Sequence, residues 1–248
     1  MAKTTSTVNL GIGLAKQGKK VLLIDNDPQG SLTASLGFVE PDDITVTLAS
    51  IMTAIINEEE FDPMEGILHH KEGVDLLPAN IELSALEITM GTVMSREVIL
   101  KEYIEMVKDN YQIILIDCMP SLGIMTLNAL TAADSVVIPV QSAYLPVKGL
   151  QQLIKTIYMV KKRLNKDLSI EGILLTMVDF RTNYAKDIYA NVTDIYGPQI
   201  HIFNTRIPVS VKAAEASAEG ISIYRHCPKN KVAAAYENLT KEIMDYEA

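Results

Sequence analysis

The sequence predicts an α/β protein: a mostly parallel sheet flanked by helices on both faces. Three observations predict it. Short apolar runs recur, VLLID (21–25), IILID (113–117), SVVIPV (135–140) and IEGILLTMV (170–178), and read as strands buried on both faces. Stretches of helical periodicity lie before, between and after them, at 4–17, 81–90, 95–109, 123–132, 147–164, 183–196 and 231–246. Such alternation argues for parallel strands joined by helical crossovers. The composition, 48% hydrophobic and 21% charged, is that of a globular chain and excludes a disordered protein, a coiled coil and a collagen-like fibre. No internal repeat and no linker rich in Pro, Gly or Ser divides the 248 residues, so residues 1–248 read as one domain.

Each element has a local reason. The first helix opens at Lys3-Thr4-Thr5 and ends near Gly18; Gly11 and Gly13 inside it are expected to let it approach the sheet closely. The strand at 21–25 ends in Asp25 and enters the turn Asn26-Asp27-Pro28-Gln29-Gly30. His69-His70 has no acidic or Cys partner at a ligand spacing and reads as a surface loop. The strand at 113–117 ends in Asp117 and enters Cys118-Met119-Pro120-Ser121-Leu122-Gly123, where Cys118 is expected to pack as a small apolar side chain. The helix at 147–164 closes on Lys161-Lys162-Arg163, a placement that suits the helix dipole. The last helix and tail carry Glu237, Glu242, Asp245 and Glu247, which argues against a basic membrane-binding helix.

Charge and cysteine content narrow the function classes. With 22 basic and 31 acidic side chains the net charge is −9, so contact with nucleic acid needs a local basic patch. Trp is absent and aromatics are 6%, which disfavours a base-stacking platform. Cys118 and Cys227 make neither a disulfide framework nor a metal-ligand pair, and a reducing, cytoplasmic setting fits. No apolar run reaches the ~18 residues that cross a bilayer, and MAKTTSTVNL has no signal-peptide pattern.

In parallel sheets ligands bind beyond the carboxyl ends of the strands. Asp25 and Asp117 end two such strands. A carboxylate there suits Mg2+ held through water; equally, a single one could be a turn or cap residue. Two on neighbouring strands favour the functional reading. Lys3-Thr4-Thr5 at a helix start fits phosphate binding, because helix N–H groups, a lysine and a hydroxyl can share one phosphate–metal unit. Alone, that tripeptide carries no weight.

Together, in chain order, KTTSTVNLGIGLAKQGKKVLLIDNDPQGSLTASLG, YQIILIDCMPSLGIMTLNAL, VVIPVQSAYLPVKGLQQL, GILLTMVDFRTNYAKDI and IPVSVKAAEASAEGISI resemble the ParA/Soj partitioning ATPases, of the deviant Walker A class that also holds MinD. The resemblance implies a P-loop NTPase fold of the SIMIBI type. It implies ATP and Mg2+ as ligands, a nucleotide-sandwich homodimer, non-specific DNA binding, and ATP hydrolysis stimulated by a ParB-type partner, with no membrane. Residue by residue, it makes Lys3 the phosphate-binding lysine and Thr4 the hydroxyl on Mg2+. Thr5 lies near the α-phosphate, Asp27 positions the attacking water, Asp25 supports the metal shell and Asp117 holds Mg2+ through water. Arg181 and Lys212 match DNA-contacting arginines, while Val209 stands where relatives often carry another.

One departure qualifies this. The family motif places a strand and KGGVG ahead of KTT, whereas only Met1 and Ala2 precede Lys3 here. The sheet is therefore expected to lack its first strand, and this chain to bind ATP weakly or not at all. A start assigned at an internal methionine explains it; so does a natively short, non-catalytic regulatory or binding protein.

Overall fold

The computed structural model describes residues 2–246; the expectations placed on Met1 and Glu247 lie outside them. The order is α1 (Lys3–Lys16), β1 (Val21–Asn26), α2 (Ser31–Ser35), α3 (Leu48–Ile56), β2 (Leu68–His69), β3 (Val74–Leu77), α4 (Glu82–Thr89), α5 (Ile99–Val107), β4 (Ile113–Cys118), α6 (Ile124–Ala132), β5 (Ser135–Gln141), α7 (Tyr144–Arg163), β6 (Ser169–Thr176), α8 (Asn183–Tyr196), α9 (Val211–Ala218), α10 (Ile223–His226) and α11 (Lys231–Tyr246). All seven predicted helices and four predicted strands are present. The helices and strands left unassigned are short, or, like the α3 segment LASIMTAII, continuously apolar with no period to read.

The sheet is in two pieces. Four strands run β2-β3-β1-β4, and a separate pair joins β5 to β6. Every pairing is parallel except that of the two-residue β2 with β3. Period-two alternation sends Val21, Leu23 and Asp25 of β1 towards α1 and α11, and Leu22 and Ile24 towards α3, α4 and α5. Val21 pairs in register with Ile113 and Asp25 with Asp117, so β4 repeats the division, with Leu115 on the α1 side and Ile116 opposite.

The expectation of strands buried on both faces holds for β1 and fails for β4 and β5. Every residue of β1 is buried, whereas β4 is half-buried except at Asp117 and β5 starts exposed at Ser135. Both are edge strands, each paired on one side only, and an unpaired flank leaves backbone and side chains open. Both pieces still share packing. Leu115 of β4 and Val137 of β5 lie against the cluster that holds Leu14, Phe203 and Tyr236. On the opposite face α6 spans them, with Met125 and Ala129 in one cluster and Leu130 in the next.

Buried polar groups tie α1 in place. The Asn9 amide donates to the Thr5 carbonyl at 2.7 Å and accepts from the Ile223 N–H at 2.8 Å; Ser6 and Tyr236 join their hydroxyls at 3.1 Å. Gly11 meets Leu23 of β1, as expected. Gly13 does not face the sheet: a Cβ there would meet Thr240 of α11 and Tyr224. The reason is angular, since two residues are 200° apart on a helix and cannot share one face. His69-His70 is likewise only half a surface feature. His69 is exposed and pairs with Asp75 at 2.6 Å, while His70 is buried beneath the Gly220 carbonyl. Cys118 packs, half-buried, beside Ile114 and Ile116. The strand read as 170–178 stops at Thr176, because Met177 takes φ +53° and turns the chain.

Candidate functional site

The carboxyl ends of β1 and β4 and the amino end of α1 meet at one place. Because Asp25 and Asp117 are register partners on adjacent parallel strands, their side chains project to the same side, towards α1. Asp117 accepts a hydrogen bond from the Thr4 hydroxyl at 2.6 Å through Oδ2, and Thr7 reaches Oδ1 at 3.3 Å. Burial pushes its carboxyl up to about 6, opposed by the Thr4 bond, the Lys3 ammonium and Thr7. The Lys3 ammonium is itself lowered by burial, against the nearby charges of Asp117 and Asp27. Lys3, Thr4, Asp27 and Asp117 thus share one half-buried electrostatic neighbourhood.

Asp25 is fully buried beneath it. Its Oδ2 accepts from the backbone N–H of Thr33 at 2.8 Å and the Thr33 hydroxyl at 2.7 Å, and its Oδ1 from the N–H of Asp27 at 3.3 Å. Burial raises this carboxyl to about 7, with the Thr33 bonds pulling it back. The Thr33 hydroxyl also accepts from the Ala79 N–H at 3.2 Å, joining the exits of β1 and β3. Asp27 closes its own turn: Oδ1 accepts from Gln29 N at 3.0 Å and its carbonyl from Gly30 N at 2.9 Å. Gly30, at φ +59°, lies where a Cβ would be 2.9 Å from the Ala79 carbonyl, so the turn needs glycine.

These groups suit a phosphate–Mg2+ ligand. The donor set around Asp117 is oxygen, the preference of a hard cation. Ala2 gives α1 no side-chain cap and its first turn has no acid, which leaves first-turn N–H groups and the positive helix end available to an anion. Lys3, Thr4 and Asp117 are the residues that would hold it. Thr5, half-buried, gives its carbonyl to Asn9.

Arg181 and Lys212 belong to another region, the rim at the carboxyl end of β6. The 207–209 segment crosses there, with Val178 N donating to the Ile207 carbonyl at 3.0 Å and Val209 N to the Val178 carbonyl at 3.2 Å. Both cations are exposed and each is held by a carboxylate: Arg181 Nε and Nη2 donate to Asp179 at 2.8 Å, and Lys212 Nζ to Glu215 at 2.6 Å. Asp179 is drawn down to about 2 by Arg181. Lys161, Lys162 and Arg163 fill the last turn of α7.

Two residues of the site escape sequence reasoning. Thr7 has a faint signal, one helical turn from Lys3 and Thr4 on the same face. Thr33 has none, because only the fold of α2 brings it back beneath Asp25.

Comparison with known proteins points the same way. A family model described as "AAA domain" matches residues 1–170. The sporulation initiation inhibitor protein Soj of Bacillus subtilis is 43% identical, over 98% of this chain and 93% of its own length. The chromosome-partitioning ATPase Soj of Treponema pallidum is 40% identical, over 98% and 92%. A crystal structure from Mycobacterium smegmatis, described as cobyrinic acid a,c-diamide synthase with a bound ATP analogue and magnesium, superposes with a TM-score of 0.84 at 34% identity, covering 98% of this chain and 89% of that one.

Proposed function

Because the chain belongs to the ParA/Soj family of chromosome-partitioning ATPases, we propose that it is a DNA-partitioning ATPase whose nucleotide site is the Lys3–Thr4–Asp117 group. The observation that carries this reading is the Thr4–Asp117 hydrogen bond beneath the Lys3 ammonium, with Asp27 close enough to act on the same charge. Mg2+, held by Thr4 and Asp117, would supply positive charge against the phosphates. Lys3 contributes a point charge to the terminal phosphates. The Thr4 hydroxyl and the Asp117 carboxylate, hydrogen-bonded to each other here, would be the oxygen ligands offered to the metal. Thr5 lies by the α-phosphate. Asp27 orients the attacking water, and Asp25, clamped by Thr33, fixes the turn that carries Asp27. Every role is one of positioning or charge, as phosphoryl transfer requires of a protein.

The wider reading is a cytoplasmic homodimer that closes over nucleotide, binds DNA without sequence preference through the Arg181 and Lys212 rim, and hydrolyses ATP when a ParB-type protein stimulates it. Among the described residues no helix is long and apolar enough to cross a membrane. Calorimetric titration with ATP and Mg2+ tests the site. Phosphate release with the partner and DNA, in a form that carries the family's KGGVG loop ahead of Lys3 and in its Lys3→Ala and Asp27→Ala variants, tests the roles. Both variants should lose partner-stimulated turnover, and turnover unchanged in both defeats the assignment.

A further inference from the structure

The rim at the carboxyl end of β6 holds a third cation, Arg206, to which the sequence pattern gives no role. It lies on the segment that runs alongside β6, between the buried Phe203 and Ile207. Its guanidinium carbon sits 4.1 Å from the centroid of the Tyr189 ring and 5.8 Å from that of Phe180. Tyr189 comes from α8 and Phe180 from the turn after β6, so two elements fix one planar group.

The three rim cations differ in what they have left to offer. Arg181 spends Nε and Nη2 on Asp179, and Lys212 gives its ammonium to Glu215. Among the described residues no carboxylate pairs with Arg206. Glu242 of α11, which reaches this segment, is occupied by the backbone N–H groups of Asn204 and Thr205 at 2.7 and 3.0 Å. A cation–π contact holds a guanidinium by its charge and uses none of its N–H groups as hydrogen bonds to an oxygen. Of these three cations, Arg206 is the one with no ion pair among the described residues. A planar, pre-positioned fork of donors is the geometry that takes phosphate oxygens two at a time.

We infer that Arg206, held over the Tyr189 ring and beside Phe180, is the principal phosphodiester contact of the DNA-binding rim in this chain. The inference rests on the DNA-binding reading above and changes which residue carries it. Arg181 and Lys212 then act as a second tier, each with its charge shared with a carboxylate.

The test is fluorescence anisotropy of a random-sequence duplex with the full chain, across a series of KCl concentrations, with and without ATP and Mg2+. The proteins are the parent, Arg206→Gln, Arg206→Lys, Phe180→Leu, Arg181→Ala and Lys212→Ala, with circular dichroism as the check on folding. Arg206→Gln should weaken binding about tenfold and flatten the slope of log K against log salt by about 0.9. Arg206→Lys and Phe180→Leu should keep the parent slope and lose less affinity, which keeps the test decisive should the glutamine variant misfold. Parent-like affinity and slope in Arg206→Gln, with weaker binding by Arg181→Ala or Lys212→Ala, overturns the inference and leaves the DNA reading standing. A parent that binds no duplex under any of these conditions overturns both. Displacement of the duplex from the parent by poly-glutamate at equal charge concentration overturns it in favour of an acidic protein partner.

Discussion

Thr33→Val isolates what holds the Asp25 carboxyl under the site. Valine keeps the shape of threonine and deletes one hydroxyl. That hydroxyl donates to Asp25 at 2.7 Å and accepts from the Ala79 N–H at 3.2 Å, and both Thr33 and Asp25 are fully buried. Above the Asp25 pKa of about 7 the carboxylate loses a charge-assisted bond of about 1.5–3 kcal/mol, and the buried Ala79 N–H is left unpaired at about 1–3 kcal/mol. The loss at pH 8 should therefore be about 3–5 kcal/mol, a large share of the ~5–15 kcal/mol that holds a domain together. At pH 5 Asp25 is protonated, the lost bond is neutral to neutral, and the loss should shrink to about 2 kcal/mol. Urea unfolding at the two pH values, with an unchanged m value, measures both numbers. A loss that is equal at pH 5 and pH 8, or below about 1 kcal/mol at both, would refute the picture of a hydroxyl shared between carboxylate and strand.

Two further outcomes follow from the same coordinates. The Asp25 pKa is raised from 3.8 to about 7, so the folded state binds the extra proton between those values; its stabilisation is full below pH 4 and is lost as pH rises through 7, by up to about 4 kcal/mol. Asp25→Asn should remove most of that slope, and a parent whose stability to urea rises from pH 5 to pH 8 would contradict it. Gly220→Ala adds a Cβ 2.3 Å from the Gly37 Cα and 2.7 Å from its nitrogen, at φ +64°. Backbone cannot yield as a side chain can, so thermal denaturation should show a Tm drop of about 4–12 °C, the equivalent of ~2–3 kcal/mol; Gly18→Ala, at positive φ but with open space around it, should cost about 1 kcal/mol.

The order of elements was legible in the sequence wherever period or punctuation was strong. Continuous apolar runs announced β1, β4, β5 and β6, and the helices α8 and α11 fall at the residues their periodicity marks. The pairing of two strand-end aspartates was legible too, because an acid closing an apolar run violates the local pattern and so asks for a reason. Register was not: a run of apolar residues buried on both faces fits any partner, and only the sheet aligns Asp25 with Asp117. Side-chain partners far apart in sequence were equally out of reach, as with Thr33 beneath Asp25.

Sequence alone therefore determined the class of fold and the types of residue at the candidate site, since both rest on local periodicity and on carboxylate, ammonium and hydroxyl chemistry. The tertiary structure decided which of those groups meet. It put Thr4 on Asp117, buried Asp25, and paired Arg181 and Lys212 with carboxylates while, among the described residues, none pairs with Arg206. Charge compensation is a matter of distance, and distance between residues remote in sequence exists only after the chain has folded.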